Sequence, residues 1–160
     1  MGWVRRIVVM VVLMAMVWGM GPAIAQANDY TKANVLDVDF SGQDLRDSSF
    51  DHASLIQSDL SNTDLRGVRF FAANLERVDL TGANLSYATL ESARFVNADL
   101  TNAILEGAYA FGAQFKGATI DGADFTDVML RRDANAALCK VAKGVNPVTG
   151  RATRDTLYCP

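Results

Sequence analysis

The residues best suited to chemistry are four aspartates that recur at intervals of twenty, Asp39, Asp59, Asp79 and Asp99, which we call the acidic column. Each precedes an apolar residue and then a hydroxyl residue, namely Ser41, Ser61, Thr81 and Thr101. A twenty-residue repeat that stacks in space places these carboxylates one above another, where like charges repel. Hydroxyl or backbone donors can offset that repulsion, a Ca²⁺ or Mg²⁺ ion can bind, or some carboxylates can keep a raised pKa.

Other reactive groups are sparse in the sequence. His52 is the sole histidine and has no cysteine or carboxylate at metal-ligand spacing, so a solvated surface histidine is the simpler interpretation. The sequence contains no phosphate-binding glycine loop, nucleophile elbow or helical zinc motif. The only two cysteines, Cys139 and Cys159, do not complete the four ligands of a zinc site. We therefore predict a protein that is not an enzyme and needs no cofactor.

The elements that must position these groups follow a period of five. Every fifth residue from Val35 to Leu130 is apolar, and the residue two places before each of these centres is most often alanine. A period of five matches neither an α-helix nor a β-strand, so the chain must turn every five residues. We expect the centre and the residue two before it to point into an interior too narrow for two large side chains.

Single units of this repeat resemble those of pentapeptide-repeat proteins, as in Ala98-Asp99-Leu100-Thr101-Asn102 and Ala83-Asn84-Leu85-Ser86-Tyr87. The resemblance covers residues 33–130. It implies an all-β solenoid, a right-handed quadrilateral β-helix with four pentapeptides per coil and about five coils. Because Asp or Asn before the centre belongs to the family's pattern, the resemblance favours a structural role for the acidic column over a specific metal site.

The first twenty-five residues have the layout of a secretory signal peptide. Two arginines precede an apolar run that ends at Trp18, and Ala23-Ile24-Ala25 forms a small-residue cleavage site. An uncleaved anchor is the alternative, because the apolar stretch is nearly long enough to span a bilayer. We predict a signal peptide at residues 1–25, a lead-in at residues 26–32, and no stable membrane insertion once the signal is removed.

The tail after Leu130 leaves the period of five. Residues 131–160 predict a short α-helical cap for the C-terminal end of the solenoid. The run from Asp133 to Lys143 predicts a helix that Asp133 caps and Gly144 closes, followed by a second short helix that begins at Thr153.

The two cysteines of this tail predict a disulfide between Cys139 and Cys159, because export delivers them to an oxidising compartment. Buried free thiols are the alternative. The tail resembles the C-terminal segment of pentapeptide proteins from the cyanobacterial and chloroplast thylakoid lumen, through Leu138-Cys139, Gly144 to Gly150, Thr153-Arg154 and Leu157-Tyr158-Cys159. This resemblance implies an exported protein of the thylakoid lumen, or of the periplasm, of a cyanobacterium-like cell.

Outward apolar residues indicate two candidate contact surfaces. One set is Leu36, Ile56 and Val96, and the other is Phe71, Tyr109 and Phe111. Ala110 is undersized for a centre, so an equal alternative is that Tyr109 or Phe111 turns inward and fills the core. On a neighbouring face, the sequence predicts two surface ion pairs, Asp44 with Arg46 and Asp64 with Arg66.

Charge and composition narrow the function. Without the signal peptide the chain keeps thirteen basic and eighteen acidic residues, which argues against binding to nucleic acid. The leading hypothesis is an exported, non-enzymatic scaffold that docks an unidentified protein partner. The alternatives are an acidic DNA mimic that inhibits a type II topoisomerase, and an ion-binding or pH-sensing module on the acidic column. The partner, the face that binds it and the oligomeric state do not follow from the sequence.

Overall fold

The backbone repeats every twenty residues. The computed structural model describes residues 27–160, so the predicted signal peptide and Gln26 lie outside the described residues. Parallel bridges join residues twenty apart, from Asp29 with Ser49 to Tyr109 with Met129. Each bridge is one residue wide, so pairing is confined to single positions between turns rather than to extended strands. The bridges form four columns, one on each side of a four-sided coil.

A tight turn follows every centre from Val35 to Phe125. The amide of Ala53, for example, donates to the carbonyl of Phe50 at 3.0 Å, and His52 between them has a φ of 58°. A positive φ at the third residue defines a type II β-turn. Every fifth residue from Lys32 to Asp127 shares this conformation, whether it is glycine or not. The turn therefore explains the period of five.

Glycine occupies some of these turns for a second reason. A Cβ atom on Gly82 would lie 2.6 Å from Oδ1 of Asn62, the residue at the same corner one coil earlier. Gly42 has a similar φ but no neighbouring atom within 4 Å of such a Cβ. Close contact between coils, and not only backbone conformation, thus favours glycine at position 82.

The interior consists of the centres and the small residues two places before them. Leu75 and Ala73, for example, have no solvent exposure. Aromatic centres stack between coils at the N-terminal end, where the ring centroids of Tyr30 and Phe50 lie 4.6 Å apart and those of Phe50 and Phe70 lie 5.1 Å apart. The structure therefore places both positions inward.

The undersized centre Ala110 is buried without help from its neighbours. Tyr109 and Phe111 both point outward, so the alternative in which one of them fills the core is wrong. The same coil contributes Phe115 and Phe125 as centres, with ring centroids 6.2 Å apart. Two large rings in one coil leave less room for a third large centre, which is consistent with alanine at position 110.

Two helices follow the last coil, in residues 131–160, which we call the cap segment. Helix α1 spans Arg132–Cys139 and helix α2 spans Thr153–Thr156. Asp133 does not cap α1, because it lies within the first turn and pairs with Arg131 at 3.3 Å. The helix ends at Cys139 and does not reach Lys143, whose carbonyl accepts a hydrogen bond from the last coil.

The cap segment replaces part of the coil that would come next. The amide of Gly122 donates to the carbonyl of Lys143 at 2.9 Å, and the amide of Phe125 donates to the Thr156 hydroxyl at 3.0 Å. These acceptors pair backbone donors that the end of a solenoid otherwise leaves open. Leu138 and Leu157 bury their side chains against the core below.

Asn146 connects the cap segment to two successive coils. Its side chain is fully buried, and its amide nitrogen lies 3.1 Å from the carbonyl oxygen of Asn102 and 2.9 Å from that of Gly122. Its side-chain oxygen accepts hydrogen bonds from the amides of Val148 and Thr149.

A disulfide joins Cys139, at the end of α1, to Cys159, beyond α2. Within residues 27–160, no helix has both the length and the apolar content that crossing a membrane requires.

Candidate docking faces

The structure places the acidic column on one side of the coil. Parallel bridges connect Asp39 with Asp59, Asp59 with Asp79, and Asp79 with Asp99, and Thr119 continues the column. In every member one carboxylate oxygen accepts the amide hydrogen of the residue two positions later, over 2.8 to 2.9 Å. Such a bond fixes the entry to the next turn. Each aspartate therefore has a local structural partner in its own unit.

The first aspartate of the column shows how these hydrogen-bond donors affect the pKa of a carboxyl group. The hydroxyl of Ser41 donates to Asp39 at 2.7 Å, and the Ser41 amide donates to the same oxygen at 2.9 Å. The hydroxyl bond, with the amide bond second, lowers the pKa of Asp39 below its usual value. The raised pKa considered from the sequence is thus wrong for Asp39.

The neighbouring side carries the ion pairs that the sequence predicts. Arg46 contacts Asp44 at 2.7 Å and Arg66 contacts Asp64 at 2.6 Å, and Arg46 also reaches Asp64 at 3.6 Å. The hydrogen bond from Arg46 lowers the pKa of Asp44 to about 2. Because this pKa is depressed in the folded state, its contribution to stability is present above pH 3.8 and is lost as the pH falls towards 2.

His52 lies on the surface, where its ring meets the edge of Phe71 at 5.3 Å between centroids. Among residues 27–160, no three His, Cys, Asp or Glu side chains converge closely enough to hold a metal ion.

The first predicted apolar surface is not continuous. Leu36 is exposed, whereas Ile56 and Val96 are half-buried. Glu76 occupies the position between the last two and pairs with Arg94 at 3.8 Å. The structure therefore divides this column at a charged residue.

The second predicted surface is only partly brought together. Phe71 lies two coils before Phe111 in the same column, and Glu91 occupies the position between them. Asp51 accepts a hydrogen bond from the Phe71 amide at 3.1 Å, and it also forms an ion pair with Arg69. Phe71 is thus set among polar groups, apart from the other two residues.

Tyr109 and Phe111 form a patch with a residue that the sequence analysis missed. Met129 lies beside Tyr109 on the next coil through a parallel bridge, and its side chain is 60% exposed. Phe111 is 51% exposed and Tyr109 is 36% exposed, on either side of Ala110. Met129 follows Tyr109 by twenty residues, and this spacing is the sequence signal that places the two in one column. We call these three residues, Tyr109, Phe111 and Met129, the aromatic patch.

Comparison with known sequences decides the family. The model for pentapeptide repeats matches the chain in eight copies, over residues 36–70 and 73–109. A solved pentapeptide repeat protein from the thylakoid lumen of Arabidopsis thaliana is 41% identical, over 91% of this chain and 98% of that one, with a TM-score of 0.44. The chain belongs to the pentapeptide-repeat family. This assignment confirms the resemblance drawn from the repeat units, and no catalytic family is indicated.

The fold of this pentapeptide-repeat protein is also found in a cyanobacterial relative. A pentapeptide repeat protein from the cyanobacterium Cyanothece 51142 is 25% identical over 66% of this chain and 86% of that one, with a TM-score of 0.64. The family implies a right-handed quadrilateral β-helix, which agrees with the four columns of parallel bridges. The disulfide between Cys139 and Cys159 fits the same architecture.

Curated relatives of this pentapeptide-repeat protein agree on a compartment. The thylakoid lumenal 15 kDa protein 1 of Arabidopsis thaliana is 67% identical over 42 residues, or 26% of this chain. The Arabidopsis thylakoid lumenal protein TL20.3 is 50% identical over 42 residues. These matches span 19% and 15% of the two relatives. The names of these two relatives support the thylakoid-lumen location predicted from the sequence.

Proposed function

We propose that this pentapeptide-repeat protein is a non-enzymatic scaffold that docks another protein through the aromatic patch. The observation that carries the proposal is the exposure of Tyr109 and Met129, which a parallel bridge joins, together with that of Phe111, two residues after Tyr109. Exposed aromatic and methionine side chains are enriched in protein interfaces, and contiguous apolar patches on a soluble surface mark binding sites.

The scaffold we propose is a short rod. It has about five coils, which at the usual spacing between strands gives a length on the order of 24 Å. The cap segment closes its C-terminal end. Because single-residue bridges and turns fix every unit, the patch requires little ordering when a partner binds, and preorganisation reduces the entropic cost of association.

The alternatives receive less support. Lumenal relatives weigh against a DNA mimic, because export separates the protein from cytoplasmic topoisomerases. An ion-binding module requires ligands that converge, and a pH-sensing module requires raised pKa values. Among residues 27–160 no three His, Cys, Asp or Glu side chains converge to hold a metal ion, and the pKa of Asp39 is lowered rather than raised.

Site-specific photo-crosslinking tests the proposed docking face. Phe111 is replaced by benzoylphenylalanine, which keeps the aromatic side chain, and the matched control carries the same group at Ser41 beside the acidic column. After irradiation in the cells of origin, we expect position 111 to yield a defined adduct that position 41 does not. Adding Tyr109→Ser to the first variant should reduce that adduct about thirtyfold, the effect of losing a hot-spot residue.

Two results would contradict the proposal. Adducts that are identical from positions 111 and 41 indicate contact without a preferred face. An adduct at position 111 that Tyr109→Ser leaves unchanged indicates that the aromatic patch does not determine binding.

A further inference from the structure

Charge is distributed unequally along the rod. Residues 27–130 contain sixteen acidic and seven basic residues, whereas the cap segment contains two acidic and six basic residues. The formal charge is therefore −9 for the repeat body and +4 for the cap segment. Such a separation orients a molecule in the field of a charged surface, because one end is attracted while the rest is repelled.

Half of the basic residues in the cap segment are already paired with carboxylates. Arg131 contacts Asp133, Lys143 contacts Asp121 at 3.2 Å, and Arg151 contacts Glu106 and Asp124. Within residues 27–160, the other three, Arg132, Lys140 and Arg154, have no carboxylate partner. The side chains of Arg132 and Lys140 remain available to bind an anion from outside the chain, whereas Arg154 also donates to main-chain oxygens.

The three unpaired cations share one recess. It has a volume of about 370 Å³ and is lined by Arg132, Asn135, Ala136, Cys139, Lys140, Arg154 and Pro160. No acidic residue belongs to this lining. Arg154 is held in place, since its guanidinium donates to the carbonyls of Cys139 at 3.0 Å and Pro160 at 2.9 Å. The recess therefore combines concentrated positive charge with one fixed guanidinium.

Exposed apolar side chains occur in the same segment. Val148 and Tyr158 are 77% and 76% exposed, and Val141 and Val145 are also largely exposed. A tyrosine among basic residues is typical of surfaces that lie at the boundary between headgroups and acyl chains, and exposed valines add apolar area there. Apolar residues alone do not select a membrane, but their combination with unpaired cations favours an anionic one.

We propose that the capped end of the rod docks peripherally on an anionic membrane surface, with a phospholipid headgroup phosphate in the recess beside the disulfide. The charge of the cap segment supplies the attraction, and the acidic repeat body is directed away from the surface. This leaves the aromatic patch on the side of the rod free for a protein. The inference is independent of the protein-docking proposal.

Vesicle sedimentation tests the membrane proposal. The exported protein, as purified from its own compartment, is mixed with phosphatidylcholine vesicles that contain or lack phosphatidylglycerol. We expect binding only when phosphatidylglycerol is present, and weaker binding as salt is raised. Arg132→Gln with Lys140→Gln should weaken binding about 25-fold, from about fivefold for each charge removed near the surface.

A control pair removes the same charge from the repeat body. Lys32→Gln with Lys116→Gln also replaces two exposed cations and should change binding less than about twofold, because neither belongs to the cap segment. Equal losses in both pairs, or no loss in either, would overturn the assignment to the cap segment. Failure of the wild-type protein to bind the anionic vesicles would overturn it as well.

A second copy of the chain is the competing occupant of this basic end, because the repeat body is acidic. Sedimentation equilibrium without vesicles distinguishes the two. We expect one molecular weight for the wild type and both variants. Self-association that disappears only in the variant of Arg132 and Lys140, together with absence of vesicle binding, would assign the surface to a second copy.

Discussion

The repeat body and the cap segment are stabilised in opposite ways. In the body, the same turn, bridge and buried centre recur from unit to unit, so the main-chain hydrogen bonds that hold it repeat. In the cap segment, contacts occur once each: the buried Asn146, the disulfide, and the acceptors for Gly122 and Phe125. Stability in repeat proteins is approximately a sum of similar neighbouring interfaces. A terminal segment that packs against the solenoid on one side only must instead rely on specific bonds.

The strongest disruption of the body should come from a charge in its interior. Leu75→Asp places a carboxylate at a position with no solvent exposure, and we expect loss of cooperative folding in circular dichroism melts. The matched control is Asn74→Asp, because its outward side chain can still accept the hydrogen bond that Asn74 receives from the Glu76 amide. Equal melting temperatures for Leu75→Asp and wild type would contradict the inward assignment of the centres.

The disulfide should matter mainly to the cap segment. Replacing Cys139 and Cys159 with serine opens a loop with a sequence separation of 20 residues. In the chain-entropy model this costs about 3 kcal/mol. Hydrogen exchange should show faster exchange in residues 131–160 and unchanged protection around Leu75. Faster exchange throughout the rod would instead show that the body depends on its cap, and the comparison would fail.

The Asn146 side chain tests the difference between the cap segment and the repeat body at a single position. Asn146→Ala leaves the carbonyls of Asn102 and Gly122 without their buried amide donor, and we expect a loss of about 2 kcal/mol in unfolding free energy. Asn34→Ala is the control, because Asn34 is exposed in the first coil. Denaturant unfolding measures both. Equal losses would mean that the cap segment has no special dependence on Asn146.

The smallest effect should come from the acidic column. Asp59→Asn keeps a side-chain oxygen to accept the Ser61 amide, and it removes a charge that lies between Asp39 and Asp79. We expect the unfolding free energy to change by less than about 0.5 kcal/mol. A much larger change in thermal melts would show that the charge itself, rather than the turn hydrogen bond, is needed at this position.

The contrast between the repeat body and the cap segment also explains which parts of the structure the sequence predicts. The period of five suffices to place Leu75 and Ala73 inward and Asp59 on a face, because each turn returns the chain to an equivalent environment. It also contains the step from Tyr109 to Met129. The pattern does not reveal how Phe115 and Phe125 compensate for Ala110, because that depends on volumes within one coil.

The cap segment was less predictable because its contacts are not local. Asp133 has the residue type of a helix cap, yet α1 begins one residue earlier and Asp133 pairs with Arg131. The helix ends at Cys139, and the Lys143 carbonyl pairs instead with Gly122, 21 positions earlier in the chain. Likewise, the recess of Arg132, Lys140 and Arg154 exists only because the tail folds back on itself. No periodicity encodes such contacts.

The fixed step of twenty residues sets a rule for insertions and deletions in the body. A five-residue insertion can be folded as one more unit, but it rotates every later side chain onto the next face, and the aromatic patch would no longer share its side with Ser49. A twenty-residue insertion preserves all faces and lengthens the rod by about 4.8 Å. Length changes that keep the surface intact must therefore occur as whole coils, whereas loops elsewhere in proteins vary one residue at a time.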